Sequence, residues 1–85
     1  MNQHAKVKIA ILRSLKRMPK TYTMRDDALR AEVCLDVQPR PTRLDLEDAL
    51  TDLEQSSCII GTLNDLTGER KWMITDAGIL QLGQI

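Results

Sequence analysis

Side chains that could catalyse a reaction or bind a metal are scarce in this sequence of 85 residues. His4 is the single histidine, and we expect it to lie in a frayed N-terminal tail. Cys34 and Cys58 are far apart in the chain, whereas zinc sites take several ligands in closely spaced pairs. We find no Ser-His-Asp or Cys-His arrangement and no glycine-rich phosphate loop. We therefore expect no enzyme activity, no metal and no cofactor.

Charged residues carry a clearer signal, because they are unevenly distributed along a chain whose net charge is zero. Residues 1–30 hold eight Lys or Arg against two Asp, and residues 31–69 hold two Arg against nine Asp or Glu. A well-solvated surface would explain this pattern. Two further interpretations are a positive end that binds an anionic partner and an assembly in which the positive end of one copy meets the negative part of another.

Length and composition favour a single domain spanning residues 1–85. One Trp and one Tyr are the only aromatic residues, so we expect an aliphatic core. Cys34 and Cys58 lie in apolar segments and are expected to be reduced core residues, with a disulfide as the less favoured alternative. Apolar runs are too short for a membrane span, and basic residues interrupt the region where a signal peptide would be apolar. We therefore expect a cytoplasmic protein.

A first helix is predicted at about residues 4–17, because apolar residues recur there at helical spacing. Pro19 ends the pattern. The stripe consists of Val7, Ala10, Ile11, Ser14, Leu15 and Met18. Ile9 and Leu12 lie off this stripe and need a second apolar neighbour. We favour the C-terminal segment of the same chain as that neighbour; a second copy of the protein is the alternative.

A second helix is predicted at about residues 25–35, after a short β-prone segment at residues 21–23. Thr23 and Asp26 have the spacing of a capping box. The residues expected to face inward are Ala28, Leu29, Val33 and Cys34. Two prolines then stiffen the loop before the third helix, because each disfavours helical backbone in the residue that precedes it.

The third helix, at about residues 43–56, has the strongest signals. Thr42 and Asp45 are placed for a capping box. Its apolar stripe consists of Leu46, Ala49, Leu50 and Leu53. Two strands at about residues 58–63 and 70–75 follow, and their alternation of apolar and polar residues is typical of a β-hairpin with one buried face.

A short last helix is predicted through about Leu82, with Thr75 as its cap. Gly78 should weaken this helix, and Gly83 is placed to end it. The predicted architecture is therefore a small α+β fold with a three-helix core, a β-hairpin and a short C-terminal helix.

These elements resemble the winged-helix (winged helix-turn-helix) transcription regulators of bacteria. The resemblance lies in Pro41-Thr42-Arg43 with the stripe from Leu46 to Leu53, in Ile59-Ile60, in the segment from Arg70 to Gly78, and in Ile9-Ala10-Ile11-Leu12 of the first helix. It covers nearly the whole chain and does not distinguish among subfamilies.

The resemblance implies a small bacterial or phage regulator that binds double-stranded DNA as a dimer, with the third helix in the major groove and the hairpin as the wing. It suggests DNA contacts from residues near the start of helix three, on the second hairpin strand and after helix one. These residues are Gln38, Arg40, Thr42, Arg43, Arg70, Lys71, Lys16, Arg17 and Lys20. The free amides at the start of a helix also favour phosphate.

Helix three departs from those regulators in its charge. Between Arg43 and Gln55 it carries one positive and five negative residues, and phosphates repel such a surface. The alternative is a winged helix that binds a protein, or a second copy of itself, and does not bind DNA. Its candidate contacts are Leu44, Asp48, Asp52, Ile9 and Leu12. Trp72 is expected in the core or as a cross-strand partner; an exposed anchor for a partner is the less favoured alternative.

Overall fold

The structure is a computed structural model that describes residues 2–19 and 22–84. These residues form the helices α1 (Gln3–Lys16), α2 (Asp26–Asp36), α3 (Arg43–Gln55) and α4 (Asp76–Gly83), and the strands β1 (Met24–Arg25), β2 (Ile59–Leu63) and β3 (Arg70–Ile74). The strands form an antiparallel sheet in the order β1-β3-β2. The three long helices and the two hairpin strands agree with their predicted bounds to within one residue.

Helix α1 is the centre of the fold, because it packs against α2, α3, α4 and β3. Its predicted stripe is buried at Val7, Ala10, Ile11, Ser14 and Leu15. Leu12, which lies off that stripe, is buried as well. Helix α4 packs on α1, and its Leu82 lies against the core. The C-terminal segment is therefore a second neighbour of α1. Ile9, however, lies in the groove between α1 and the end of α2.

The start of α2 differs from its prediction. The N-cap is Arg25, which makes no side-chain capping bond, so the predicted capping box of Thr23 and Asp26 is wrong. The Asp26 carboxylate accepts bonds from other residues instead. The preceding strand lies at Met24–Arg25 and not at residues 21–23; residue 21 is outside the described part, and the other two residues are not in a strand.

The inward face of α2 is narrower than predicted. Leu29 and Val33 are buried and Cys34 is half-buried, whereas Ala28 is exposed. One face of α2 suffices to cover α1, and Ala28 lies beside that face. Cys34 and the buried Cys58 are both free thiols, which agrees with the expectation of reduced cysteines.

Helix α3 agrees with the prediction in both its cap and its buried apolar stripe. The Thr42 hydroxyl accepts a hydrogen bond from the Asp45 amide at 3.1 Å, and the Asp45 carboxylate accepts one from the Thr42 amide at 2.9 Å. This reciprocal pair is the predicted capping box, which fixes where the helix begins. The stripe of Leu46, Ala49, Leu50 and Leu53 is buried.

The β2–β3 hairpin carries the large buried side chain of the sheet. Trp72 on β3 is 1% exposed and lies between Gly61 on β2 and Met24 on β1. A Cβ atom on Gly61 would lie 2.7 Å from the indole ring, so the packing of Trp72 needs a glycine there. Trp72 is therefore a core residue, and its interpretation as an exposed anchor is wrong.

Helix α4 begins as predicted, because the Thr75 hydroxyl accepts a hydrogen bond from the Gly78 amide at 3.1 Å. Gly78 has a role that was not predicted. A Cβ atom on it would clash with the carbonyl oxygen of Cys58, so glycine allows α4 to pack closely on the start of β2. Gly83 is the last residue of the helix and Gln84 its C-cap.

The described residues form a small α+β fold in which the helices and the sheet share one hydrophobic core. The first short strand pairs with the second strand of the hairpin, and two helices lie between them in the sequence. This arrangement is compatible with a winged helix. Among the described residues, no helix is both long and apolar enough to cross a bilayer.

Candidate nucleic-acid interface

Four arginines lie where α2, the start of α3 and β3 meet. Arg30, Arg40 and Arg43 line an open concavity of about 690 Å3 between α2 and the start of α3. Arg30 and Arg70 line a second concavity, of about 290 Å3, between α3 and β3, together with two glutamates of α3. Because Arg30 borders both concavities, the four residues form one surface, which we call the arginine face.

Trp72 orders two residues of the arginine face. The Asp26 carboxylate accepts a hydrogen bond from the buried indole Nε1 of Trp72 at 2.9 Å and another from Arg30 Nε at 2.8 Å. The guanidinium group of Arg70 lies over the indole ring, 5.7 Å from its centroid. Charge-assisted hydrogen bonds and cation–π contacts are both attractive. One buried side chain therefore helps to position two cations from different elements.

The other two members of the arginine face lie at the start of α3. Arg40 is exposed and makes no ion pair within the described residues. The Arg43 side chain is 87% exposed, and its Nε lies 3.3 Å from a carboxylate oxygen of Glu47. The helix dipole places partial positive charge at this end of α3. An anion approaching here would meet two guanidinium groups and the positive end of a helix.

Three of the residues that the resemblance suggested for DNA contact lie apart from the arginine face. They are Gln38, Arg17 and Lys16. Gln38 and Arg17 line a groove between α1 and the end of α2. Lys16 lies beside Arg17 and near α4. Thr42 is at the start of α3, but its hydroxyl already caps the helix.

The two basic residues of β3 lie on different faces of the sheet. Neighbouring residues of a strand point to opposite sides, so Lys71 faces away from Arg70 and the Trp72 side. Lys71 is exposed opposite Arg25 and Thr62. Lys20, the last of the suggested residues, lies outside the described part of the chain.

The outward surface of α3, which we call the acidic face, consists of Leu44, Glu47, Asp48, Thr51, Asp52 and Gln55, all exposed. Local contacts engage several of the carboxylates on α3. Asp45 caps the helix, Glu47 pairs with Arg43, and Asp52 lies 2.5 Å from His4 Nε2. His4 is part of α1 and joins it to α3, so the expectation of a frayed tail is wrong.

The residues suggested for protein binding differ in accessibility. Leu44 is 65% exposed at the first turn of α3, and Asp48 is exposed one turn later. Ile9 is half-buried and lines the groove between α1 and the end of α2. Leu12 is 3% exposed, so a partner cannot reach it.

Arg30 is the member of the arginine face that the sequence did not indicate. A signal was present, because Asp26 and Arg30 are four residues apart in a predicted helix, a spacing at which opposite charges pair. That spacing alone indicates only a stabilised helix. The contact of Asp26 with Trp72, which is distant in the sequence, makes this pair part of a surface.

Comparison with known proteins bears on the fold. No protein-family model matches the chain, and no curated protein matches it. Among solved structures, it is similar to the crystal structure of a Thermoplasma acidophilum protein described as a "putative transcriptional regulator". The TM-score is 0.74 and the identity 18%, over 95% of this chain and 75% of the other. At this identity, the similarity shows a shared fold.

Proposed function

We propose that the chain is a winged-helix module that binds double-stranded DNA through the arginine face, with the β2–β3 hairpin as its wing. The observation that carries the proposal is the convergence of Arg30, Arg40, Arg43 and Arg70 beside α3 from separate segments of the chain. Guanidinium groups suit phosphate because they are planar, always charged and able to donate two parallel hydrogen bonds. The fold shared with the Thermoplasma acidophilum protein agrees with this function.

The module would be a small transcription regulator of a bacterium or phage, acting in the cytoplasm by binding and not by catalysis. It would act as a dimer, because a single module reads few bases and paired modules read two half-sites.

The start of α3 would approach the duplex, and its later turns would point away. Recognition helices often contact bases through their first residues. The carboxylates of Asp45, Glu47 and Asp52 are engaged by Thr42, Arg43 and His4. The contacts of Asp45 and Glu47 offset part of the repulsion of phosphates near the first turn, and Asp52 lies two turns further along the helix.

The test is fluorescence anisotropy with a duplex of random sequence at low salt. Arg40→Ala and Arg70→Ala should each weaken binding and lower the slope of log affinity against log salt by about one. Lys71→Ala is the matched control, because Lys71 follows Arg70 on β3 but faces the other side of the sheet. The control should bind like the wild type. Equal losses in Arg70→Ala and Lys71→Ala, or no loss in either arginine variant, would refute the arginine face.

A second function is supported by the exposure of Leu44 beside the carboxylates of the acidic face. Protein interfaces commonly have an apolar centre with a polar rim, which is the arrangement of Leu44 and its neighbours. In that case the module would bind a protein and not DNA. Leu44→Asp or Asp48→Lys would then abolish the complex, while Arg40→Ala and Arg70→Ala would leave it intact.

A further inference from the structure

A groove between α1 and the end of α2 has no part in the proposed DNA interface. Its volume is about 510 Å3, and its apolar lining is the half-buried Ile9 over the buried Ala10 and Val37. Asp36 and Gln38 also line it. The exposed residues Lys6, Arg13 and Arg17 line it as well. We call it the basic groove. An apolar lining bordered by cations suits a partner that presents an apolar side chain among carboxylates.

The positive charge of the basic groove is only partly balanced by the chain itself. The guanidinium group of Arg17 lies 3.7 Å from a carboxylate oxygen of Glu32 and 3.6 Å from one of Asp36. Lys6 and Arg13 make no ion pair within the described residues. Two cations at the groove are therefore available for carboxylates from outside.

The same chain presents the complementary surface on α3. Leu44 projects from the first turn of the acidic face and is 65% exposed. Glu47 and Asp48 follow it three and four residues later, so they lie next to it on the helix surface. Asp48 makes no ion pair among the described residues. An apolar side chain thus stands beside carboxylates, as the basic groove requires.

We infer that a second copy of this chain docks its acidic face into the basic groove, with Leu44 entering the apolar lining and Asp48 facing Arg13. Charge complementarity selects this occupant. The chain is neutral overall, yet its positive residues concentrate before residue 31 and its negative residues between residues 31 and 69. Copies of this chain therefore supply both halves of the contact without a third component. The basic groove lies outside the proposed DNA interface, whereas Leu44 shares the first turn of α3 with Arg43. The inference does not depend on DNA binding.

The two surfaces of this contact are different, so the contact is head-to-tail. A row of docked copies always has one open acidic face at one end and one open basic groove at the other. Such contacts grow into rings or filaments. The attraction between exposed charges is screened by salt. Assembly should therefore increase with protein concentration and decrease as salt is raised.

The test is sedimentation velocity of the whole chain without DNA, at about 50 mM and about 500 mM salt. The wild type should assemble at low salt and dissociate at high salt. Leu44→Asp removes one half of the contact and Arg13→Glu the other, so each variant alone should be monomeric. Loss of a buried leucine should lower the association constant about tenfold to a hundredfold. Both residues are exposed in the single chain, so the fold should tolerate the changes.

An equimolar mixture of the two variants provides the sharpest result. The Leu44→Asp chain keeps a working basic groove, and the Arg13→Glu chain keeps a working acidic face. Together they form one intact contact that cannot extend, so the mixture should give a dimer and nothing larger. Leu66→Asp and Lys71→Glu are the matched controls, because both positions are exposed outside the two surfaces. Each should assemble like the wild type.

Three results would overturn the inference. The first is a wild type that stays monomeric at low salt up to about 1 mM. The second is assembly that persists in both single variants, which would assign the contact to another surface, such as the apolar groove lined by Met18, Tyr22 and Ile60. The third is a mixture that remains monomeric. A monomeric wild type whose DNA binding is lost in Arg13→Glu would assign the basic groove to nucleic acid.

Discussion

At the scale of single residues, Trp72 connects the core to the arginine face. Its ring is buried against Gly61, its Nε1 donates to Asp26, and Arg70 lies over it. Asp26 in turn holds Arg30. The substitution of any one of these residues should therefore affect both the stability of the fold and the position of a cation on its surface.

Replacement of Asp26 tests this connection. Asp26→Ala removes the acceptor of a buried indole donor, which should lower the free energy of unfolding by about 1–3 kcal/mol. Asp26→Asn keeps an oxygen acceptor and should cost about half as much, because the remaining bond is between neutral groups. Urea denaturation measures both. Asp27→Ala is the control, because that carboxylate is exposed and bonds to the next amide. Equal losses in Asp26→Ala and Asp27→Ala would show that the contact with Trp72 contributes nothing.

At the scale of elements, the predictions succeeded where the signal was local. Helix α3 has its cap, its stripe and its end within 15 residues, from Thr42 to Ser56. The hairpin likewise shows its alternation within neighbouring segments. Local propensity and apolar spacing determine such elements, and the sequence displays both.

The predictions that were wrong concern contacts between segments that are distant in the sequence. Asp26 has capping spacing with Thr23, yet its carboxylate is taken by Trp72, 46 residues away. His4 is held by Asp52, which is 48 residues away. Spacing rules cannot show which of several partners a carboxylate will choose in the folded chain. For the same reason, the arginine face could be predicted only in part, and Arg30 was missed.

Substitution of Gly78 tests how closely α4 packs on the start of β2. Gly78→Ala would place a methyl group against the Cys58 carbonyl oxygen and force α4 away from β2. We expect a loss of about 1–3 kcal/mol in the free energy of unfolding, as for other overpacked sites. Gly83→Ala in the same helix meets no atom within 4 Å and should be neutral or stabilising by less than about 1 kcal/mol. Thermal unfolding compares the two; equal effects would mean that Gly78 influences only helix propensity.

At the scale of the whole molecule, the distribution of charge matters more than its sum. A chain of zero net charge has no general attraction to DNA, so any attraction must come from a local surface. The arginine face supplies one such surface at the start of α3, beside carboxylates that are partly engaged by the protein itself. The basic groove supplies another, for which the acidic face of a second copy is the complementary partner.

The salt dependence of DNA binding by the wild type tests the central claim most directly. Binding of a random-sequence duplex should be measurable at about 50 mM salt, and contacts from about four arginines should weaken it roughly a hundredfold at about 200 mM. Arg40→Ala should flatten that dependence. Absence of binding at low salt, or an affinity that salt does not change, would contradict a DNA-binding arginine face and favour the module that binds protein through its acidic third helix.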